Sequence, residues 1–189
     1  KANALPIQLH IGKEETFKGL GDVITKKAYI YNDPTGIKID EVEVPADMVA
    51  EVNKALDELV EFIAGTDDEL MEKFFAEGDL SVDEIKKALR KAVIELKVPP
   101  VLCGTAYKNK GVQKLIYAVC DYLPSPVDID HVIGFDVKDE SKKIVRKTDD
   151  NEPFCGLAFK IVADPFVGKL AYCRVYSGKL QAGSYVYNS

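Results

Sequence analysis

Two stretches of this sequence, Thr66-Asp67-Asp68-Glu69 and Ser81-Val82-Asp83-Glu84, share one form: a hydroxyl residue three positions before an acid, just ahead of an apolar run. That is the signature of a capping box, in which the hydroxyl and the acid satisfy orphan amides at a helix start. The first opens a short helix through Leu70, Met71, Phe74 and Phe75 to Gly78; the second opens one in which Ile85, Leu89, Ala92, Val93 and Leu96 share a face. Ahead of both, Val49, Val52, Leu56, Leu59, Val60 and Ile63 recur at helical spacing, with Pro45 and Asp47 before them and Gly65 as a stop. Three consecutive helices are therefore expected within residues 40–97.

Charge separates the same segment from its surroundings. Residues 40–97 hold 17 acidic and 7 basic side chains, a net of −10, whereas the remainder carries +4. The whole chain, 189 residues at −6, is a poor generic binder of nucleic acid, because its average field repels phosphate. No run is long enough to span a bilayer. Cys103, Cys120, Cys155 and Cys173 form no CxxC pair and read as buried free thiols, while His10 and His131 lack ligand-spaced partners, so neither a metal site nor a catalytic residue is expected.

The flanks are of a different kind. Val23–Tyr31 is β-branched and aromatic, and Asn32-Asp33-Pro34-Thr35-Gly36 is a turn. Ile37 and Ile39, then Val42 and Val44, alternate with polar residues, with one slip of phase that suits a bulge. A hairpin on three helices gives a small αβ module. Val98–Cys103 reads as a short buried strand, Gly104–Gly111 as a polar loop, and Val112, Leu115, Ile116, Val119 and Leu123 as a helix stripe ended by Pro124 and Pro126. One strand–loop–helix unit cannot form a sheet alone, so its partner lies outside the chain or within residues 1–10. Residues 127–153 are turn-rich, a linker or hairpin. From Phe154 the pattern is all-β, with runs at 154–163, 168–176 and 184–187. The fold class expected is α+β.

The stretch with chemical content is CGTAYKNKGVQ, Cys103–Gln113. A turn at a strand's carboxyl end presents backbone N–H donors, and guanine offers O6 as an acceptor where adenine offers an amino donor. The plain alternative is a strand-to-helix loop in which Thr105 or Asn109 caps the next helix. Tyr107 reads as a packing residue, and Lys108 and Lys110 as solvated.

CGTAYKNKGVQ followed by DYLPSPVDI (Asp121–Ile129) resembles the last guanine-recognition segment of bacterial-type translation elongation factor G. ELMEKF at Glu69–Phe74, GLAFK at Gly156–Lys160, DPFVGKL at Asp164–Leu170, RVYSG at Arg174–Gly178 and GSYVYNS at Gly183–Ser189 match the family in order. The resemblance implies a piece of a longer protein: residues 1–97 as the insertion subdomain of the GTPase domain, 98–125 as a strand–loop–helix of its α/β core, 126–150 as a linker, and 151–189 as the first strands of a truncated β-barrel. It puts the family's Ser-Ala guanine motif on Thr105 and Ala106, a departure that keeps the hydroxyl, with Tyr107 beside them.

It further implies a parent that binds GTP or GDP with Mg2+, hydrolyses GTP on the ribosome and drives translocation in the cytoplasm. Glu51, Glu58 and Glu61 would face the ribosomal stalk protein, and Lys160, Lys169 and Arg174 ribosomal RNA. A GTPase needs a GxxxxGK[ST] loop to cradle phosphates. Gly-Lys occurs at 12–13, 168–169 and 178–179, followed each time by Glu or Leu, and no NKxD motif is present. No GTP hydrolysis and no bound cofactor are expected of these residues alone. A ribosomal protection or release factor of the same superfamily, and a non-catalytic ribosome-interaction module, are the alternatives.

Overall fold

A computed structural model describes residues 3–136 and 138–188, with Glu77 by its backbone alone. Lys1, Ala2, Val137 and Ser189, which the segments expected at 1–97, 126–150 and 151–189 include, lie outside the described residues. The fold is mixed α+β, and the chain divides between Leu123 and Pro124 into two compact units.

The first unit holds an antiparallel sheet of β2 (Gln8–Ile11), β3 (Gly19–Asp22), β4 (Lys27–Tyr31) and β5 (Ile39–Glu43), in that spatial order. It is twice the hairpin that alternation suggested: β2 alternates over only four residues, and half of β3 is glycine, so neither stands out as a strand. Val23–Lys26 is not strand but a tight turn. The Asp22 carboxylate accepts from the Ile24 and Thr25 amides at 3.0 and 2.8 Å, so Val23 and Ile24 are buried from a turn. The bulge expected in β5 is absent as well. Its pairing with β4 runs unbroken from Tyr31↔Ile39 to Lys27↔Glu43, which sends Val42 to the exposed face.

The helices are α1 (Val49–Ala64), α2 (Asp68–Glu77) and α3 (Val82–Ile94). Leu59, Ile63, Ile85 and Leu89 are fully buried and join Val23 and Val98 in one core. Each contributes about 2 kcal/mol of burial. Ser81 and Glu84 close their capping box as expected. At α2 the cap is instead Asp67, whose carboxylate accepts from the Leu70 amide; the Thr66 hydroxyl donates backwards to the Ile63 carbonyl at 2.7 Å. A carboxylate outcompetes a hydroxyl beside a helix N-terminus, and Lys91 pairs with it at 2.6 Å. Leu96 lies past the end of α3 and is exposed, so it does not extend the apolar face.

The short strand β6 (Pro100–Val101) finds its neighbour inside the chain, pairing in parallel with β1 (Leu5–Pro6). Helix α4 (Val112–Tyr122) follows it and packs on α3. Arg90 of α3 donates to the Asp121 carbonyl at 2.6 Å, satisfying the C-terminal end of α4. Yet the predicted stripe of α4 does not enter this core. Leu115, Ile116, Val119 and Leu123 are about half exposed, and the residue buried is Tyr122.

The second unit is two hairpins, β7 (His131–Phe135) with β8 (Lys143–Lys147), and β9 (Cys155–Asp164) with β10 (Gly168–Ser177). Residues 126–150 therefore carry a hairpin where a linker was one reading. The Asp164 carboxylate forms the β9–β10 turn by accepting from the Phe166 and Val167 amides, which holds its pKa below the usual carboxylate range. Residues 184–187 are not strand. A strand exists where a neighbour pairs with it, and none among the described residues does. All four cysteines are free, but none is fully buried as expected: Cys103 and Cys155 are half-buried, and Cys120 and Cys173 are exposed.

Candidate functional site

The loop after β6 is a closed turn. The Thr105 amide donates to the Lys110 carbonyl at 2.8 Å, and the Lys110 amide returns a bond to the Thr105 carbonyl at 3.1 Å. Between them Ala106–Lys108 is a single 3-10 turn, with Lys108 N–H on the Thr105 carbonyl and Asn109 N–H on that of Ala106. Asn109 then reverses the chain at φ 51°, a left-handed conformation asparagine tolerates. Gly111 lies at φ 87° and its Cβ position is 2.8 Å from the Cys103 carbonyl, so a side chain there would pry the loop off the strand.

Thr105, Ala106 and Tyr107 are thus brought together at the carboxyl end of a parallel strand. No acceptor among the described residues takes the Ala106 or Tyr107 amide, and both residues are exposed. Thr105 makes no side-chain cap; the backbone pair with Lys110, not a hydroxyl, braces the turn. Nor does Thr105 or Asn109 cap α4, whose N-cap is Gly111. Tyr107 is fully exposed and packs against nothing, contrary to its reading as a packing residue. A pocket of about 170 Å³ adjoins the turn, lined by Leu102, Thr105, Ala106, Lys110, Val112 and Leu115 among others. Cys103 lines it too, its thiol pushed up to about 11 by burial and so protonated at neutral pH.

The loop's cations are engaged. Lys108 pairs with Glu15 at 3.0 Å, and Lys110 reaches the Phe17 carbonyl at 3.5 Å. Asn109 Nδ2 donates to the Thr35 carbonyl at 3.1 Å, and Gln113 Nε2 to that of Gly36, also at 3.1 Å. Thr35 and Gly36 were not legible as part of this site, since they stand more than seventy positions from Asn109 and Gln113.

The other expected residues fall elsewhere. Glu51, Glu58 and Glu61 lie exposed along α1, where Glu58 takes Lys54 at 3.8 Å. Lys160 sits opposite Tyr172 in the β9–β10 ladder, Lys169 is exposed near its turn, and Arg174 lies over the Tyr176 ring at 6.0 Å. Among the described residues no helix is long and apolar enough to cross a membrane.

Comparison with known proteins reaches both units. Residues 153–189 match the family described as elongation factor G domain 2. A crystal structure of a protein from Thermus thermophilus is similar over 96% of this chain, at 29% identity and a TM-score of 0.73. The matched region is 24% of that protein, so this chain spans about a quarter of its length. The chain is therefore similar to elongation factor G domain 2 at its end and to the Thermus protein over most of its length.

Proposed function

We propose that residues 103–111 read the base of a guanine nucleotide within an elongation-factor-G-type translational GTPase. The observation that carries this reading is the closed Thr105–Lys110 turn, which leaves the Ala106 amide without an internal acceptor at the carboxyl end of β6. A fixed N–H donates to guanine O6 and finds no acceptor in the adenine amino group. Phosphates and Mg2+ would be held by segments without counterpart in this sequence, so the 189 residues supply base selectivity rather than hydrolysis. In the assembled factor, a cytoplasmic protein acting in translocation, Glu51, Glu58 and Glu61 would meet the stalk protein of the large ribosomal subunit. Charge complementarity there speeds encounter. Lys160, Lys169 and Arg174 would approach ribosomal RNA.

Calorimetric titration with GDP and Mg2+ tests this on the 189-residue chain and on a polypeptide extended upstream in the gene. The extended polypeptide binds GDP, Ala106→Pro weakens that binding at least tenfold, and the 189 residues alone show neither tight binding nor turnover. Undiminished GDP affinity in Ala106→Pro removes the base-reading role. Tight Mg2+-dependent capture by the 189 residues removes the division of labour. An upstream reading frame lacking any phosphate loop would leave the non-catalytic ribosome-interaction module as the function.

A further inference from the structure

The side chains of Lys108, Asn109, Lys110 and Gln113 all donate into residues 15–36: to the Glu15 carboxylate and to the carbonyls of Phe17, Thr35 and Gly36. At the centre of this arrangement the β4–β5 turn and the loop touch backbone to backbone. Gly36 has φ 65°, and a Cβ there would lie 2.5 Å from the Asn109 carbonyl oxygen and 2.7 Å from that of Lys108. No other residue fits, for conformation and for space. The turn is itself stiff. The Asp33 carboxylate accepts from the Thr35 amide and hydroxyl and from the Lys38 amide, which holds its pKa down to about 2.

Beneath the loop lies a second layer. Tyr31 of β4 is buried with Leu20, and Cys103 packs against them; its phenol oxygen sits beside the Gly111 backbone, short of a proper hydrogen bond. Gln113 Oε1 is also buried, without a partner among the described residues. A buried unpaired polar atom is unfavourable, and retaining two is explained when their side chains are held for position rather than for stability.

We infer that the β4–β5 turn is the mount of the base-reading loop, with Gly36, Asn109 and Gln113 as positioning residues that set its selectivity for guanine; this rests on the reading of Ala106 above. A short 3-10 turn closed by one backbone pair has few contacts of its own. Its amides hold direction because the far side is clamped to a sheet. A donor displaced by about 1 Å loses the distance and angle that a hydrogen bond requires, so the distinction between O6 and an amino group fades before binding does.

The test measures GDP and ADP affinities of the upstream-extended polypeptide in four forms: unaltered, Gly36→Val, Asn109→Asp and Ala106→Pro. Asn109→Asp keeps a residue that accepts positive φ but puts an acceptor against the Thr35 carbonyl. Both mount variants are expected to lower the GDP-to-ADP affinity ratio at least tenfold, and amide exchange at Leu59 and Leu89 should stay as in the unaltered protein. An unchanged ratio, or equal losses for both nucleotides, overturns the inference, since general destabilisation spares selectivity. If Gly36→Val does not fold, Asn109→Asp alone decides. If Ala106→Pro lowers GDP affinity while the mount variants keep the ratio, only the mount fails. If Ala106→Pro binds GDP normally, the base-reading role fails and the mount with it.

Discussion

In the first unit α1 and α3 bury Leu59, Ile63, Ile85 and Leu89 completely, whereas in the second Phe159 and Ile161 of β9 stand 63% and 72% exposed. Both sets of residues follow regular patterns. Among the described residues after Leu123, the one buried side chain is that of Ser177, which donates to the Pro153 carbonyl. The difference lies in layers. Helices α1 and α3 pack on each other and α1 on β1, so each apolar face meets another. The hairpins of the second unit are two-stranded ribbons, and among the described residues the contact of β8 with β10 leaves no apolar side chain fully buried; ribbons of that size are marginally stable in water. An apolar pattern therefore specifies which side of an element can be buried, and only a second layer buries it.

The most forceful way to break this contrast is to truncate one side chain in each unit. Leu89→Ala should cost about 3 kcal/mol in urea unfolding followed by circular dichroism, because its cavity cannot collapse among buried neighbours. Ile161→Ala should change the transition by less than about 0.5 kcal/mol. Equal costs would mean that β9 is covered in solution.

A smaller effect separates the two helix starts within the first unit. Ser81→Ala removes a hydroxyl that bonds the Glu84 amide, and should cost about 1 kcal/mol in the same measurement. Thr66→Ala should cost less, since Asp67 is the cap, and Asp67→Ala should exceed both by also stranding Lys91. The reverse order would restore Thr66 as the cap.

The smallest effect concerns pH. Glu84 is held down to about 2 by hydrogen bonds from Lys73 and Ser81, against 4.5 for an ordinary glutamate. A depressed folded-state pKa contributes stability that is fully present above about 4.5 and is lost as pH falls towards about 2. Thermal melts of Glu84→Gln should accordingly show a shallower decline across that window than the unaltered chain. Identical slopes would indicate that the pair with Lys73 is not maintained in solution.

Much of this architecture was legible because it is local. Helix spacing located α1 and α3, and the apolar runs at 154–163 and 168–176 located β9 and β10. Local pattern misled where a longer-range partner decided. Val23 and Ile24 have strand-like character, but the Asp22 carboxylate wraps them into a turn from which they still reach the core. The stripe on α4 has ideal spacing and stays half exposed. At the candidate site the motif residues Thr105 and Ala106 stood out by type and order, while their support did not.

By itself, then, the amino-acid order determined the helices, the long strands β9 and β10 and the position of the loop after Cys103, all of which depend on neighbours a few residues away. Tertiary structure alone decided that β6 pairs with Leu5–Pro6, that α4 presents its apolar stripe outward, and that Gly36 meets Asn109. Those outcomes depend on which surfaces, distant along the chain, come within bonding distance, and a linear pattern carries no record of that.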